Sequence, residues 1–337
     1  MIWARAEGCR VWDSDGREYL DLSAGFGVAA LGHRNPHVME AIAAQPVAHA
    51  LGDLAEAEVA VALRERLPWP AKFGVTGEDA VEIALRTALL ATGRPGIVAF
   101  GGAYHGTGLL ALAATGFERF REPFRAWLPG PVYRHEYGSD PGPVPPDAGC
   151  VIAEPVQGRA GARVPPDGWL ERLRERCDES GALLIVDAIY AGLGRTGVMW
   201  PGEEVADAIT VGKALGHGLP ISAALFVRRE LAQAWQLGPE DVLTHTHVLN
   251  PLACAAAHVV LDEVPPLLDR VREAGELFAG WDGRGLMRSR RGDWEEAWRR
   301  GVLVIPAGED SSLISATPPL TITDGELDEA LAKLAGV

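Results

Sequence analysis

Asp187 ends the apolar run GALLIVD, and Lys213 lies 26 residues further on, in the glycine-rich segment AITVGKALGHGLP. Each follows a stretch of strand character, so each would stand at the C-terminal end of a strand, where ligands collect in open α/β sheets. A lysine there is an odd choice for packing, because lysine is rarely buried without a partner. One chemistry needs this pair. The lysine joins pyridoxal phosphate as a Schiff base, and the carboxylate keeps the pyridine nitrogen protonated, making the ring an electron sink. Taken singly, an aspartate after a strand and a lysine in a loop are more often structural, so the surrounding elements carry the decision.

Those elements alternate. Forty glycines and twenty-four prolines cut the chain into short pieces. VWDSDGREYLDL (11–22) reads as a β-hairpin around an Asp-Gly turn. Residues 37–44 and 54–67 carry apolar residues at helical spacing. KFGVTGEDAVEIALRTALLATG reads as a strand, a turn and an amphipathic helix with acidic residues in its first turn. GIVAFGGAYHGTG, CVIAEPVQG, ALLIVDAIYAGLG and DAITVGKALGHGLP each place a short apolar strand before a polar or glycine-rich loop, and 167–181 is of helix length between two of them. That alternation predicts an α/β domain on a mostly parallel sheet. From about residue 260 the pattern changes: a turn at GRGLM (283–287), a strand in GVLVIPAG, then PPLTIT and a terminal helix suggest a smaller α+β domain.

Composition sets the outer limits. The chain has 337 residues, 47% hydrophobic and 23% charged, enough for about two domains. Forty-six acidic residues against thirty-one Lys and Arg give a net charge of −15, which disfavours a nucleic-acid face. Cys9, Cys150, Cys177 and Cys254 lack metal-ligand spacing and read as buried apolar residues, with no zinc or other metal expected. No signal peptide is read at the N-terminus, and apolar stretches such as LACAAAHVVL fall short of the roughly 18 residues of a membrane span. A cytoplasmic protein without membrane partners is expected.

EPVQG (154–158), LLIVDAIYAGLGRTG, DAITVGKALGHGLPISA, NPLACAAA (250–257) and PPLTIT (318–323) occur in this order, after WDSDGREYLDLSAGFGVAALGHRNPHVMEAI and AYHG (103–106). Together they resemble the class III (omega/ornithine-type) pyridoxal-phosphate-dependent aminotransferases of fold type I, over nearly the whole chain. The resemblance implies a three-layer α/β/α large domain with a mostly parallel sheet and a smaller α+β domain. It divides the chain into an N-terminal segment, 1–40, that joins the small domain, a cofactor-binding domain, 41–258, and a shortened C-terminal domain, 259–337. It also implies residue roles: Lys213 and Asp187 catalytic, Ile189 and Tyr104 on the two ring faces, and Thr76, Gly77 and Glu78 at the phosphate, where helix N-terminal N–H groups favour an anion. His105, Glu154 and Tyr190 belong to the cofactor set, and Thr246 in HTHVLNP would reach the phosphate from a second subunit. A homodimer with shared active sites follows, acting on a small amine and a keto acid or aldehyde.

Several positions depart from the family pattern. DAIY replaces DE[VI]Q, so Ala188 stands for a glutamate and Tyr190 for the glutamine that serves the cofactor's phenolic oxygen; Tyr190 is either a substitute or a repacked side chain. Glu78 puts a carboxylate beside a dianion, which is unfavourable unless it points away. The family's carboxylate-binding arginine is Ser315 here, and its gating glutamate is Arg159. Arg159, whose planar fork suits a carboxylate, and Phe26 in SAGFG are the expected substrate contacts; for Arg159 a solvated loop charge is the alternative. The same core could serve a racemase, an aminomutase or a lyase, or a cofactor-binding subunit without turnover.

Overall fold

The computed structural model describes residues 1–51, 55–236, 243 and 245–337. Three short strands open the chain, β1 (Trp3–Glu7), β2 (Arg10–Asp13) and β3 (Glu18–Asp21). β2 and β3 pair antiparallel with Arg10 opposite Leu20 and Trp12 opposite Glu18, as the hairpin reading requires, and β1 extends the pair into a meander.

The central sheet has seven strands: β4 (Ala71–Gly74), β5 (Gly96–Phe100), β6 (Val132–His135), β7 (Ala148–Ala153), β8 (Leu183–Asp187), β9 (Ala208–Val211) and β10 (Ser222–Phe226). Their order is β4-β10-β9-β8-β7-β5-β6. β10 runs antiparallel to both neighbours and the other pairings are parallel, so six strands point one way. β5, β7, β8, β9 and β10 are buried along their full length, which is why they read as unbroken apolar runs: both sheet faces are covered. The common direction brings the ends after Gly74, Phe100, Ala153, Asp187 and Val211 to one edge.

The Gly77–Thr92 helix follows β4 directly. Thr76 caps it: its hydroxyl accepts from Asp79 N–H while the Asp79 carboxylate accepts from Thr76 N–H at 2.8 Å, a reciprocal pair worth about 1 kcal/mol. Ala80, Val81, Ile83, Ala84, Leu85 and Ala88 are buried along one side, and Gly93 ends the helix in the left-handed region at φ 66°. Burying Leu85 and Ile83 fully contributes about 1.5–3 kcal/mol each. The helix expected over 54–67 runs over Glu58–Arg66; it starts later than the periodicity suggests, at Ala57, which offers no side-chain cap, and residues 52–54 lie outside the described residues.

The C-terminal part adds β11 (Asp282–Arg284), β12 (Met287–Arg291), β13 (Val302–Leu303), β14 (Ile305–Ala307) and β15 (Leu313–Ala316). The run GVLVIPAG, expected as one strand, is split at Val304. Its first half, β13, pairs parallel with β3, and its second half, β14, pairs with β15 in an antiparallel sheet of order β11-β12-β15-β14. The run Pro251–Glu276 is long and apolar enough to cross a bilayer on length and composition, longer than the apolar stretch alone indicates. It breaks at Pro265, and Ala253, Cys254, Ala256, Ala257 and Val260 are fully buried in the main core. All four cysteines are buried and unpaired.

Candidate active site

Lys213 follows β9 and opens a single 3₁₀ turn, Lys213–Gly216. Its φ is +35°, a left-handed conformation that costs a residue with a side chain on the order of 1–2 kcal/mol and is found where function holds it. The Nζ lies 4.3 Å from the centre of the Tyr190 ring. Burial lowers the Lys213 pKa; Asp187 and Glu154 oppose the shift and Arg159 adds to it. The neutral amine is therefore favoured more than on an exposed lysine.

Asp187, at the end of β8, is nearly buried and accepts three hydrogen bonds. His105 Nδ1 meets Oδ2 at 2.6 Å, while the Thr210 hydroxyl and Ile189 N–H donate to Oδ1 at 3.0 and 3.1 Å. His105 is itself held by its N–H to the Thr115 hydroxyl, and its Nε2 is buried without a partner among the described residues. Glu154, just past β7, is buried; desolvation first, and the nearby Asp187 second, push its pKa well above the usual carboxylate range. It accepts the Tyr104 N–H at 3.2 Å. The Tyr104 ring meets Phe120 edge-on, with centroids 5.4 Å apart.

The start of the Gly77–Thr92 helix faces the same space. Among the described residues no acceptor serves the N–H groups of Gly77 and Glu78, and a Cβ on Gly77 would come within 2.9 Å of Ile189 Cγ2. Ser222 anchors the turn by donating its hydroxyl to the Thr76 carbonyl at 2.5 Å. Glu78 turns its carboxylate to the following loop, where Thr107 N–H, the Thr107 hydroxyl and Gly108 N–H donate to it at 2.8, 3.0 and 3.1 Å. The charge that looked hostile to a dianion is thus tied to the 107–108 backbone.

These groups surround a cavity of about 370 Å³ lined by Thr76, Gly77, Glu78, Tyr104, His105, Glu154, Arg159, Asp187, Ile189, Tyr190 and Lys213. A second space of about 230 Å³ shares Tyr104, Arg159, Tyr190 and Lys213 with it, and adds Phe26, Ser315, Ile305, Pro306 and Ala307. Thr246 stands elsewhere: it is exposed in the turn before the Pro251 helix, and its carbonyl accepts from His49. The Tyr190 hydroxyl is engaged by Thr317 Oγ1 at 3.2 Å, and Thr317 donates onward to the Ser23 carbonyl, so Tyr190 presents its ring rather than its hydroxyl to Lys213. Thr210, Thr317, Phe120 and Thr107 were not singled out from the sequence. Thr210 lies one strand over from Asp187 and could have been found from the β8–β9 pairing; nothing local in the sequence marks the other three.

Chemically, the arrangement offers an anchored carboxylate, a lysine biased toward its neutral form, and two free N–H groups at the positive end of a sixteen-residue helix. The family model for class-III aminotransferases matches residues 1–141 and 144–281. The acetylornithine aminotransferase of Methanopyrus kandleri is 38% identical over 366 aligned positions, covering 98% of this chain and 92% of that one. The 5-aminovalerate aminotransferase of Pseudomonas aeruginosa is 33% identical, covering 99% and 92%. An ornithine aminotransferase from Toxoplasma gondii superposes with a TM-score of 0.88 at 25% identity, over 99% of this chain and 89% of that one. An amine transaminase from an uncultivated Pseudomonas species, in PLP-bound form, gives 0.85 at 28%, over 99% and 94%.

Proposed function

The chain belongs to the class-III aminotransferases, enzymes dependent on pyridoxal phosphate that act on small amino and keto acids, and from that premise we propose how its own residues divide the work. The residues present fit the cofactor. Two unpartnered N–H groups and the bare Cα of Gly77 make a cradle for a phosphate, Ile189 offers an apolar face beside it, and Asp187 holds its carboxylate in place. Bound pyridoxal phosphate supplies an electron-poor ring that takes up the electron pair left when the amine-bearing carbon loses its proton. Lys213 would hold the cofactor through its Nζ, and its neutral amine would be the base that takes the proton from the amine-bearing carbon and returns it. Its lowered pKa serves both tasks, since a protonated lysine can neither attack nor accept. Asp187 favours a protonated ring nitrogen, and His105, Thr210 and the Ile189 N–H keep it oriented. Tyr104, Tyr190 and Arg159 line the same space, and Glu154, favoured neutral, fixes the Tyr104 backbone.

The observation that carries this reading is the half-buried lysine in a strained conformation, lining one cavity with an immobilised aspartate. We further propose a homodimer in which Thr246 of one copy completes the phosphate site of the other; its distance from its own chain's cavity lining supports this. The relatives named for acetylornithine, 5-aminovalerate and ornithine point to donors with a primary amine several bonds from a carboxylate. Borohydride reduction of the holoenzyme followed by peptide mapping should mark Lys213. Donor added without acceptor should then convert the bound vitamer to its amine form, and a protein that racemises or eliminates instead would not accumulate it.

A further inference from the structure

Arg159 is placed as a receptor and has nothing to receive. Its guanidinium Cζ lies 4.8 Å from the centre of the Tyr104 ring and 5.0 Å from that of Phe120, contacts that hold the plane of the fork. Among the described residues its side chain makes no ion pair or hydrogen bond, and Nε is buried without an acceptor. The carboxylates around the cavity are engaged elsewhere. Glu78 is tied to the 107–108 backbone, Asp187 to His105 and Thr210, and Glu154 is favoured neutral by burial. The remaining wall of the smaller space is neutral: Ser315 donates its hydroxyl to the Arg288 carbonyl at 3.3 Å, next to Ile305, Pro306 and Ala307.

We propose that Arg159 receives the carboxylate of the keto-acid acceptor, and that, with no acidic partner to mask it, it stays presented to the cavity through both half-reactions. The inference rests on the amino-transfer reading above and adds the selecting group. A carboxylate entering beside Lys213 meets a fork already oriented and short of acceptors, whereas a ketone carrying a methyl group in its place leaves those donors unmet. The enzyme is accordingly specific for keto acids over neutral ketones, and it disfavours donors that bring a second ammonium close to Arg159.

The test compares pyruvate with acetone, which differ by carboxylate against methyl, using holoenzyme and 5-aminovalerate as donor. Arg159→Gln should lower the ratio of kcat/KM for pyruvate to that for acetone by about 10- to 100-fold, the range for a hydrogen bond between charged groups, mostly through KM for pyruvate. Arg159→Lys, which keeps the charge and loses the fork, should recover part of it. Calorimetric titration with propionate gives a readout without turnover: Arg159→Gln should weaken its binding at least about 10-fold. An unchanged pyruvate-to-acetone ratio, or propionate bound equally by wild type and Arg159→Gln, overturns the proposal. A wild type that binds propionate through Arg159 yet moves no amino group would instead count against the amino-transfer reading.

Discussion

Replacing His105 tests whether Asp187 is held in position by the residue that touches it most closely. The His105 side chain is fully buried, Asp187 is 4% exposed, and Nδ1 to Oδ2 is 2.6 Å. His105→Leu removes the donor while keeping an apolar filling. A hydrogen bond to a charged group contributes about 1.5–3 kcal/mol net, and Asp187 retains the Thr210 hydroxyl and Ile189 N–H. If the lost orientation is felt in the transition state, kcat falls roughly 10- to 150-fold, at 1.36 kcal/mol per decade. An unfolding entropy of about 2.1 cal/mol/K per residue makes a 2 kcal/mol loss worth roughly 3 °C in Tm for a chain of this size. His105→Asn places an amide nitrogen near the Nδ1 position and should restore much of the rate. Steady-state kinetics of the two holoenzymes, with cofactor content measured in each, decide it. A His105→Leu enzyme within twofold of wild type in kcat would refute the reasoning. So would equal impairment of the two variants, which would assign the effect to packing.

Glu154 gives a pH signature. Its folded-state pKa is raised, chiefly by burial, so its contribution to stability is fully present below the ordinary carboxylate value of 4.5 and is lost as pH rises through the raised value. Glu154→Gln should therefore flatten the fall in apoprotein Tm as pH rises above 4.5, and parallel curves for the two proteins would refute the shift. Gly77→Val should lower cofactor affinity at least about 10-fold with little change in helix content, because its Cβ would meet Ile189 at 2.9 Å and overpacking of this kind costs about 1–3 kcal/mol; equilibrium binding of pyridoxal phosphate to apoprotein reads it. For Thr246, inactive Lys213→Met and impaired Thr246→Ala proteins are unfolded and refolded together. If Thr246 serves the partner's site, half the dimers are hybrids with one intact site of two, and activity returns to about a quarter of wild type. Activity no greater than the average of the two separate variants would place Thr246 in its own chain's site or in none.

What the sequence made legible is what the sheet imposes. A strand buried on both faces must be an unbroken apolar run, and the residue that ends it must lie at the sheet's edge, so Asp187 and Lys213 could each be put at a strand's C-terminal end from their neighbours alone. The helix after β4, with acidic residues in its first turn, was likewise legible in the spacing; the structure adds the Thr76–Asp79 pair that caps its start. Side-chain direction was not legible. Glu78 looked hostile to a phosphate until residues 107–108, about thirty positions away in the chain, supplied two backbone N–H donors and a hydroxyl that turn its carboxylate aside. Tyr190 is spaced to serve the cofactor, yet Thr317, 127 residues later, takes its hydroxyl. The split of GVLVIPAG also depended on remote partners, with β3 claiming one half and β15 the other. In each case the deciding atom comes from a segment brought close by the tertiary fold, and no periodicity within either segment encodes it.

The same distinction explains why Arg159 is the informative departure. An arginine after EPVQG has two uses, as a solvated loop charge or as a receptor, and the sequence leaves both open. The fold favours the second by placing the guanidinium near two aromatic rings and leaving Nε buried without an acceptor among the described residues. A buried donor without an acceptor costs on the order of 1–3 kcal/mol. Burial alone would favour replacing such a residue, and nothing within the described residues compensates it. A carboxylate brought by the substrate would supply the missing acceptor. That makes Arg159→Leu the discriminating variant: it should be at least as stable as wild type while binding propionate worse, whereas a loop charge would change neither.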